Sequence, residues 1–199
     1  MMPKKVQIVE VGPRDGLQNE KTWISTKTKI LLINKLAETG LKKIEATSFV
    51  SPKWIPQMKD AFEVMLGIER QPGVTYPVLI PNMEGFERAM ETNITEIAIF
   101  ITASEEFSQK NVNCSITESI KRFRSIILSA TKNKIRTRGY ISCVLGCPYQ
   151  GEVPLEIVES LAEQLFELGC YEISLGDTIG VGTPIKAKKM LERVAKKNP

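Results

Sequence analysis

The sequence contains no histidine. That absence removes the Ser-His-Asp and Cys-His nucleophile systems, His-based zinc sites and the usual neutral-pH general base. Any chemistry must run on carboxylates, Arg, Lys, Cys, backbone groups or a bound metal. There is no apolar run of about 18 residues, so no transmembrane helix is expected. No Gly-x-Gly-x-x-Gly follows the first apolar run, and no Gly-x-x-x-x-Gly-Lys-[Ser/Thr] loop occurs, which weakens any nucleotide-binding reading. The four cysteines, Cys114, Cys143, Cys147 and Cys170, lack Cys-x-x-Cys spacing. Reduced thiols in a cytosolic-type compartment are therefore expected. The formal charge of +4 is mild and its lysines are dispersed. That pattern reads as solvated helix faces with weak attraction for a small anionic ligand, and predicts no nucleic-acid partner. Met1-Met2-Pro3-Lys4-Lys5 leads straight into an apolar run, which leaves no room for a signal or transit peptide.

What is present is an alternation of short β-branched runs and amphipathic segments. Strands are predicted over Val6–Val11, Lys43–Thr47, Tyr76–Ile80, Glu96–Ile101, Thr137–Val144 and Tyr171–Leu175. Helices are predicted around Ile30–Ala37 with Gly40 as the stop, then Gln57–Gly67, Glu84–Glu91 and Ser119–Thr131. Two more follow, one opened by Pro154 and stopped by Gly169 and one over Pro184–Lys197. Six βα units in a row predict an α/β fold with parallel strands and outer helices, either a doubly wound sheet or part of a barrel. No linker divides the chain, so one domain over 1–199 is expected.

In a β/α barrel the chemistry collects at the C-terminal strand ends. Those ends deliver Arg14, Asp15 and Gln18 from the first strand, then Glu45, Thr47 and Ser48 from the second. The later strands end at Asn82, at Thr102, at Cys143 to Cys147, and at Asp177 with Thr178. An Arg beside carboxylates suits an oxyanion and a hard cation, and oxygen ligands favour Mg²⁺ or Mn²⁺ over zinc. Each residue also has a structural reading. Arg14 and Asp15 follow Gly-Pro and fit turn chemistry. Glu45, in an apolar strand, needs a partner such as Arg14. Asp177 could cap a helix. Cys143 and Cys170 read as small core residues, and Cys147 as exposed on a loop.

The string Val9-Glu10-Val11-Gly12-Pro13-Arg14-Asp15-Gly16-Leu17-Gln18-Asn19-Glu20 resembles the signature of the hydroxymethylglutaryl-CoA lyase family. The likeness continues through Glu45–Lys53, Tyr76–Leu79, Lys110–Ser115, Arg138–Cys143, Gly146–Tyr149 and Gly169–Gly180. What the resemblance implies is a TIM-type (β/α)8 barrel and metal-dependent cleavage of hydroxymethylglutaryl-CoA to acetyl-CoA and acetoacetate. It implies that Arg14 contacts substrate and neutralises the oxyanion, Asp15 binds Mg²⁺ or Mn²⁺, and Glu45 holds their geometry. Asp177 becomes a candidate for proton transfer, and Gln18, Ser48 and Thr178 line the site. The implied partner is an acyl-CoA substrate, with homodimerisation left open. The cytoplasm is the implied compartment, with the mitochondrial matrix as the alternative.

Departures from the family pattern are equally definite. Family members continue into a strand with a His-x-His pair, then an Asn ligand and a glycine-rich loop bearing the catalytic cysteine. This sequence contains none of these, and Asp15 is its sole expected metal ligand. Gly146-Cys147-Pro148-Tyr149 resembles that catalytic loop, but its neighbours place it after the fifth predicted strand, so Cys147 is not assigned as catalytic. The expectation is a barrel lacking its last two βα units, unstable or inactive as it stands. The alternatives are a non-catalytic interaction fragment and a related acyl-CoA-dependent synthase of the isopropylmalate or homocitrate type. The Phe49-Val50-Ser51-Pro52 and Asp177-Thr178-Ile179-Gly180 contexts favour the lyase.

Overall fold

The computed structural model describes residues 5–197, so Met1 to Lys4 of the predicted N-terminal start lie outside the described residues. The chain divides into two compact units, residues 1–97 and 98–199.

In the first unit, α1 (Thr26–Glu38) starts where the Ser25 hydroxyl accepts the Thr28 amide at 3.2 Å. That bond satisfies one of the orphan donors of a first turn. β1 (Thr47–Ser48) runs parallel to β2 (Val78–Leu79), pairing Thr47 with Val78 and Ser48 with Leu79. Between them lie a 3-10 turn (Pro56–Met58) and α2 (Ala61–Gly67). α3 (Met83–Met90) is capped by Asn82, whose side chain accepts from the Gly85 amide at 2.8 Å. Asn82 thus ends its strand as a helix cap. Ile33, Ile44, Val64, Met65, Val78, Ile80 and Phe86 fill the core. Two ion pairs are buried with them, Lys29–Asp60 and Lys43–Glu96, each at 2.7 Å.

β3 (Glu96–Thr102) spans the division and is buried along almost its whole length. In the second unit α4 (Glu105–Val112) and α5 (Ile116–Lys132) are capped by Ser104 and Ser115. β4 (Arg136–Ser142) runs parallel to β5 (Glu172–Leu175), from Arg138 opposite Glu172 to Ile141 opposite Leu175. α6 (Leu155–Glu167) buries Val158, Leu161, Ala162 and Leu165. It ends where Gly169 takes φ +110°, a left-handed value that only glycine adopts cheaply. α7 (Pro184–Lys197) follows the last strand.

Among the described residues five strands form where six were predicted. The first run makes only a single parallel bridge, Glu10 with Ile44. Val6 and Ile8 remain 81% and 67% exposed, so the first half of the apolar run lacks the packing that would hold a strand. The second predicted strand is also displaced. Lys43 and Ile44 make isolated bridges, and continuous pairing begins only at Thr47.

Candidate active site

The N-terminal site grows from a backbone crossing. The Glu10 amide donates to the Lys43 carbonyl at 3.0 Å and the Glu45 amide donates to the Glu10 carbonyl at 2.7 Å. Just beyond, Gly12–Gly16 winds into a five-residue π-helical turn with Pro13 near its start. In it the Gly16 amide reaches the Val11 carbonyl at 3.4 Å and the Asp15 amide reaches the same carbonyl at 2.7 Å. The turn sends consecutive side chains to different environments. Arg14 is 8% exposed, whereas the Asp15 side chain is 55% exposed.

The Arg14 guanidinium joins two carboxylates. Its Nε donates to Oε1 of Glu45, which has no solvent exposure, and its Nη1 donates to Oδ1 of Asp15 at 2.7 Å. That Oδ1 also accepts from Gln18 Nε2 at 3.1 Å, and Asn19 Nδ2 donates to the Asp15 carbonyl at 2.7 Å. One cation thus faces two carboxylates. Glu10 Oε1 accepts the Gly12 amide at 2.6 Å and so braces the start of the turn. Ser48 is 1% exposed and donates to the Leu79 carbonyl at 3.3 Å. Arg14, Asp15, Gln18 and Glu45 are therefore brought into one bonded cluster, and Ser48 is tied to β2.

Asp177 and Thr178 belong to the second unit. The Asp177 carboxylate accepts the Val181 amide at 3.2 Å on Oδ1 and the Gly182 amide at 2.8 Å on Oδ2. It caps a loop, and the nearest helix starts only at Pro184. Asp177 also lines a cleft of about 560 Å³ with Leu145, Ile173, Leu175, Thr183 and Met190. Thr178 Oγ1 accepts the Cys143 amide at 2.8 Å. Thr102 Oγ1 donates to the Ser142 carbonyl at 3.4 Å and accepts the Ser104 amide at 3.2 Å.

Cys147 does follow β4 as expected, in a hairpin closed by two backbone bonds to Gly151. It is not exposed, however. Only 3% of it reaches solvent, because the hairpin turns its thiol inward onto Ser104 Oγ at 2.9 Å. Cys143 and Cys170 are buried, as small core residues should be. Burial pushes the Cys170 thiol up to about 12. Among the described residues, no group of three or more His, Cys, Asp and Glu side chains could hold a metal ion, and no helix is long and apolar enough to cross a membrane.

Comparison with known proteins follows the same line. The chain is 58% identical over 198 residues to the mitochondrial hydroxymethylglutaryl-CoA lyase of Macaca fascicularis, covering all of this chain and 61% of the relative. It is also 58% identical to the cytoplasmic 3-hydroxy-3-methylglutaryl-CoA lyase of Mus musculus, again covering all of this chain and 58% of the relative. The chain thus spans about three fifths of the length of the curated relatives it matches. The crystal structure of hydroxymethylglutaryl-CoA lyase from Pseudomonas aeruginosa superposes with a TM-score of 0.96 at 54% identity, covering 99% of this chain and 66% of that one. An HMG-CoA lyase from Acinetobacter baumannii, solved in complex with coenzyme A and 3-methylmalate, gives 0.92 at 38% identity, with 98% and 65% covered. These likenesses carry with them the β/α-barrel fold class that the family resemblance implied, where the alternating pattern alone left a doubly wound sheet open. With the HMGL-like family model matching residues 5–199, the chain belongs to the HMGL-like family.

Proposed function

We propose that this chain carries the Arg-Asp-Glu portion of a hydroxymethylglutaryl-CoA lyase, which cleaves hydroxymethylglutaryl-CoA to acetyl-CoA and acetoacetate. The observation that carries the reading is Arg14, buried and bonded at once to Glu45 and Asp15. In the reaction the tertiary hydroxyl loses its proton, the adjacent carbon–carbon bond breaks, and the acetyl-CoA carbon takes up a proton. Negative charge passes through oxygen, and a preplaced guanidinium is most effective where water is excluded. Arg14 supplies that charge. Glu45 fixes the guanidinium plane, and Gln18 and Ser48 line the site, with Thr178 assigned a lining role by the family resemblance alone. Asp177 serves proton transfer, with the amides of Val181 and Gly182 holding its carboxylate in place.

The family's divalent metal fits one residue here. The Asp15 side chain is more than half exposed, and its Oδ2 accepts no hydrogen bond among the described residues. A lone hard oxygen suits Mg²⁺ or Mn²⁺, which keep several water ligands. When bound, the metal would polarise substrate oxygens as a Lewis acid. The substrate class is a small acyl-CoA, consistent with the coenzyme A held by the Acinetobacter enzyme. The cytoplasmic and mitochondrial names of the relatives make either compartment compatible.

The test is a coupled assay of acetyl-CoA release from hydroxymethylglutaryl-CoA with Mg²⁺ or Mn²⁺, on this chain and on the chain extended by a relative's remaining segment. Turnover in the extended form that Arg14→Gln lowers by about a hundredfold or more supports the proposal. Unchanged turnover in Arg14→Gln overturns it.

A further inference from the structure

Cys147 was singled out by its Gly-Cys-Pro-Tyr context, and the lyase chemistry does not use it. Its sulfur collects donors. The Tyr149 amide lies 3.4 Å from Sγ and Ser104 Oγ lies 2.9 Å from it. The Ser104 oxygen also accepts the Phe107 amide at 3.1 Å, and its one hydroxyl proton is shared between two acceptors, Cys147 Sγ and Gln150 Oε1 at 2.7 Å.

The second thiol is four residues away. Cys143 closes β4 in a left-handed conformation at φ +62°, with its amide bound to Thr178 Oγ1. Burial pushes the Cys143 thiol up, and the two thiols lie close enough for each to act on the other's proton. Burial alone would also raise Cys147. The backbone N–H groups of Gln150 and Tyr149, the Ser104 hydroxyl and the Cys143 thiol outweigh that and hold it below the ordinary thiol value. Hydrogen bonds to the charged form favour it, and the thiolate is the nucleophile.

We infer that Cys147 is a modification site for small peroxides, with Cys143 as the resolving thiol that converts the oxidised product into a Cys143–Cys147 disulfide. The reagent must be small, because Cys147 is only 3% exposed. The Cys147 thiolate attacks one peroxide oxygen, the O–O bond breaks, and a sulfenic acid and hydroxide result. Hydroxide takes the Cys143 proton to give water. Cys143 sulfur then attacks Cys147 sulfur and expels a second hydroxide. From two thiols and hydrogen peroxide the sum is one disulfide and two waters. Nothing in this step depends on the lyase reading.

The experiment treats the whole chain with stoichiometric hydrogen peroxide, alkylates the remaining thiols under denaturing conditions and maps the peptides by fragmentation mass spectrometry. The expected result is a segment containing Cys143 and Cys147 that is two hydrogens lighter and unalkylated, with Cys114 and Cys170 fully alkylated. Cys143→Ser should stop the reaction at a sulfenic acid on Cys147 that dimedone traps. Ser104→Ala should slow oxidation several-fold. Oxidation spread evenly over the four cysteines, or absent from Cys147, overturns the assignment. The map of the unsubstituted chain decides this even if a variant fails to fold.

Discussion

Arg14 and Glu45 stand 31 residues apart in sequence, and the guanidinium Nε of one donates to a carboxylate of the other that water does not reach. A pair so placed is far more costly to break than to replace. Removing Glu45 leaves the buried guanidinium with only the exposed Asp15 as counter-ion, at up to about 3–5 kcal/mol of unfolding free energy. Glu45→Ala should therefore lower the unfolding free energy read from urea titration, and Arg14→Met with Glu45→Leu should recover much of the loss. An unshifted midpoint in Glu45→Ala would show that the pair is solvated after all.

Asp15 should behave in the opposite way. Its side chain is largely in water, and surface ion pairs contribute about 0–1 kcal/mol. Asp15→Asn should leave the urea midpoint of this chain nearly unchanged and, in the chain extended by a relative's remaining segment, abolish Mn²⁺ binding followed by the electron paramagnetic resonance of the free ion. Retained Mn²⁺ binding would move the metal away from Asp15.

The Lys43–Glu96 pair lies deeper, at 2% and 1% side-chain exposure. Lys43→Met alone should cost about 3–5 kcal/mol, and adding Glu96→Leu should restore much of the loss. A double variant no better than the single one would argue that the pair's remaining bonds, and not its charge, hold the site together.

Cys170 sets an alkaline limit. Its thiol is raised from 9.0 to about 12 by burial. The unfolded chain releases this proton near the ordinary value while the folded chain keeps it. Stability is therefore full below about pH 9 and falls through the window up to about pH 12, by at most about 4 kcal/mol. In urea titrations at stepped pH, Cys170→Ala should flatten that decline by one proton. An identical slope in the two proteins would refute the linkage.

The helices with an apolar stripe were legible in the sequence. α1, α3, α5, α6 and α7 all form where periodicity and stop residues put them. α4 went unread because its sequence, Glu-Glu-Phe-Ser-Gln-Lys-Asn-Val, is polar and offers no stripe. Its signals were the Ser104 cap and Asn113, which adopts φ +50° at its end. Strand existence was mostly legible and strand length was not. Pairing depends on a neighbour's register, which β-branched composition does not encode. At the site, the need of Glu45 for a partner followed from its apolar surroundings, and Arg14 is that partner. The commitment of Asp177 to Val181 and Gly182 was not readable, because an Asp after a strand looks the same whether it caps a helix or ties a loop.

The π-helical turn at Gly12–Gly16 has a consequence for how this site can vary. Its inward cation and its outward carboxylate sit on consecutive residues, so the ruler between them is one peptide plane. An error in seating one is inherited by the other. A residue gained or lost upstream of the turn would carry both charges off as a rigid couple, their mutual spacing intact and their register with Glu45 gone. Selection could alter the walls around this couple freely, but could relocate it only as a whole.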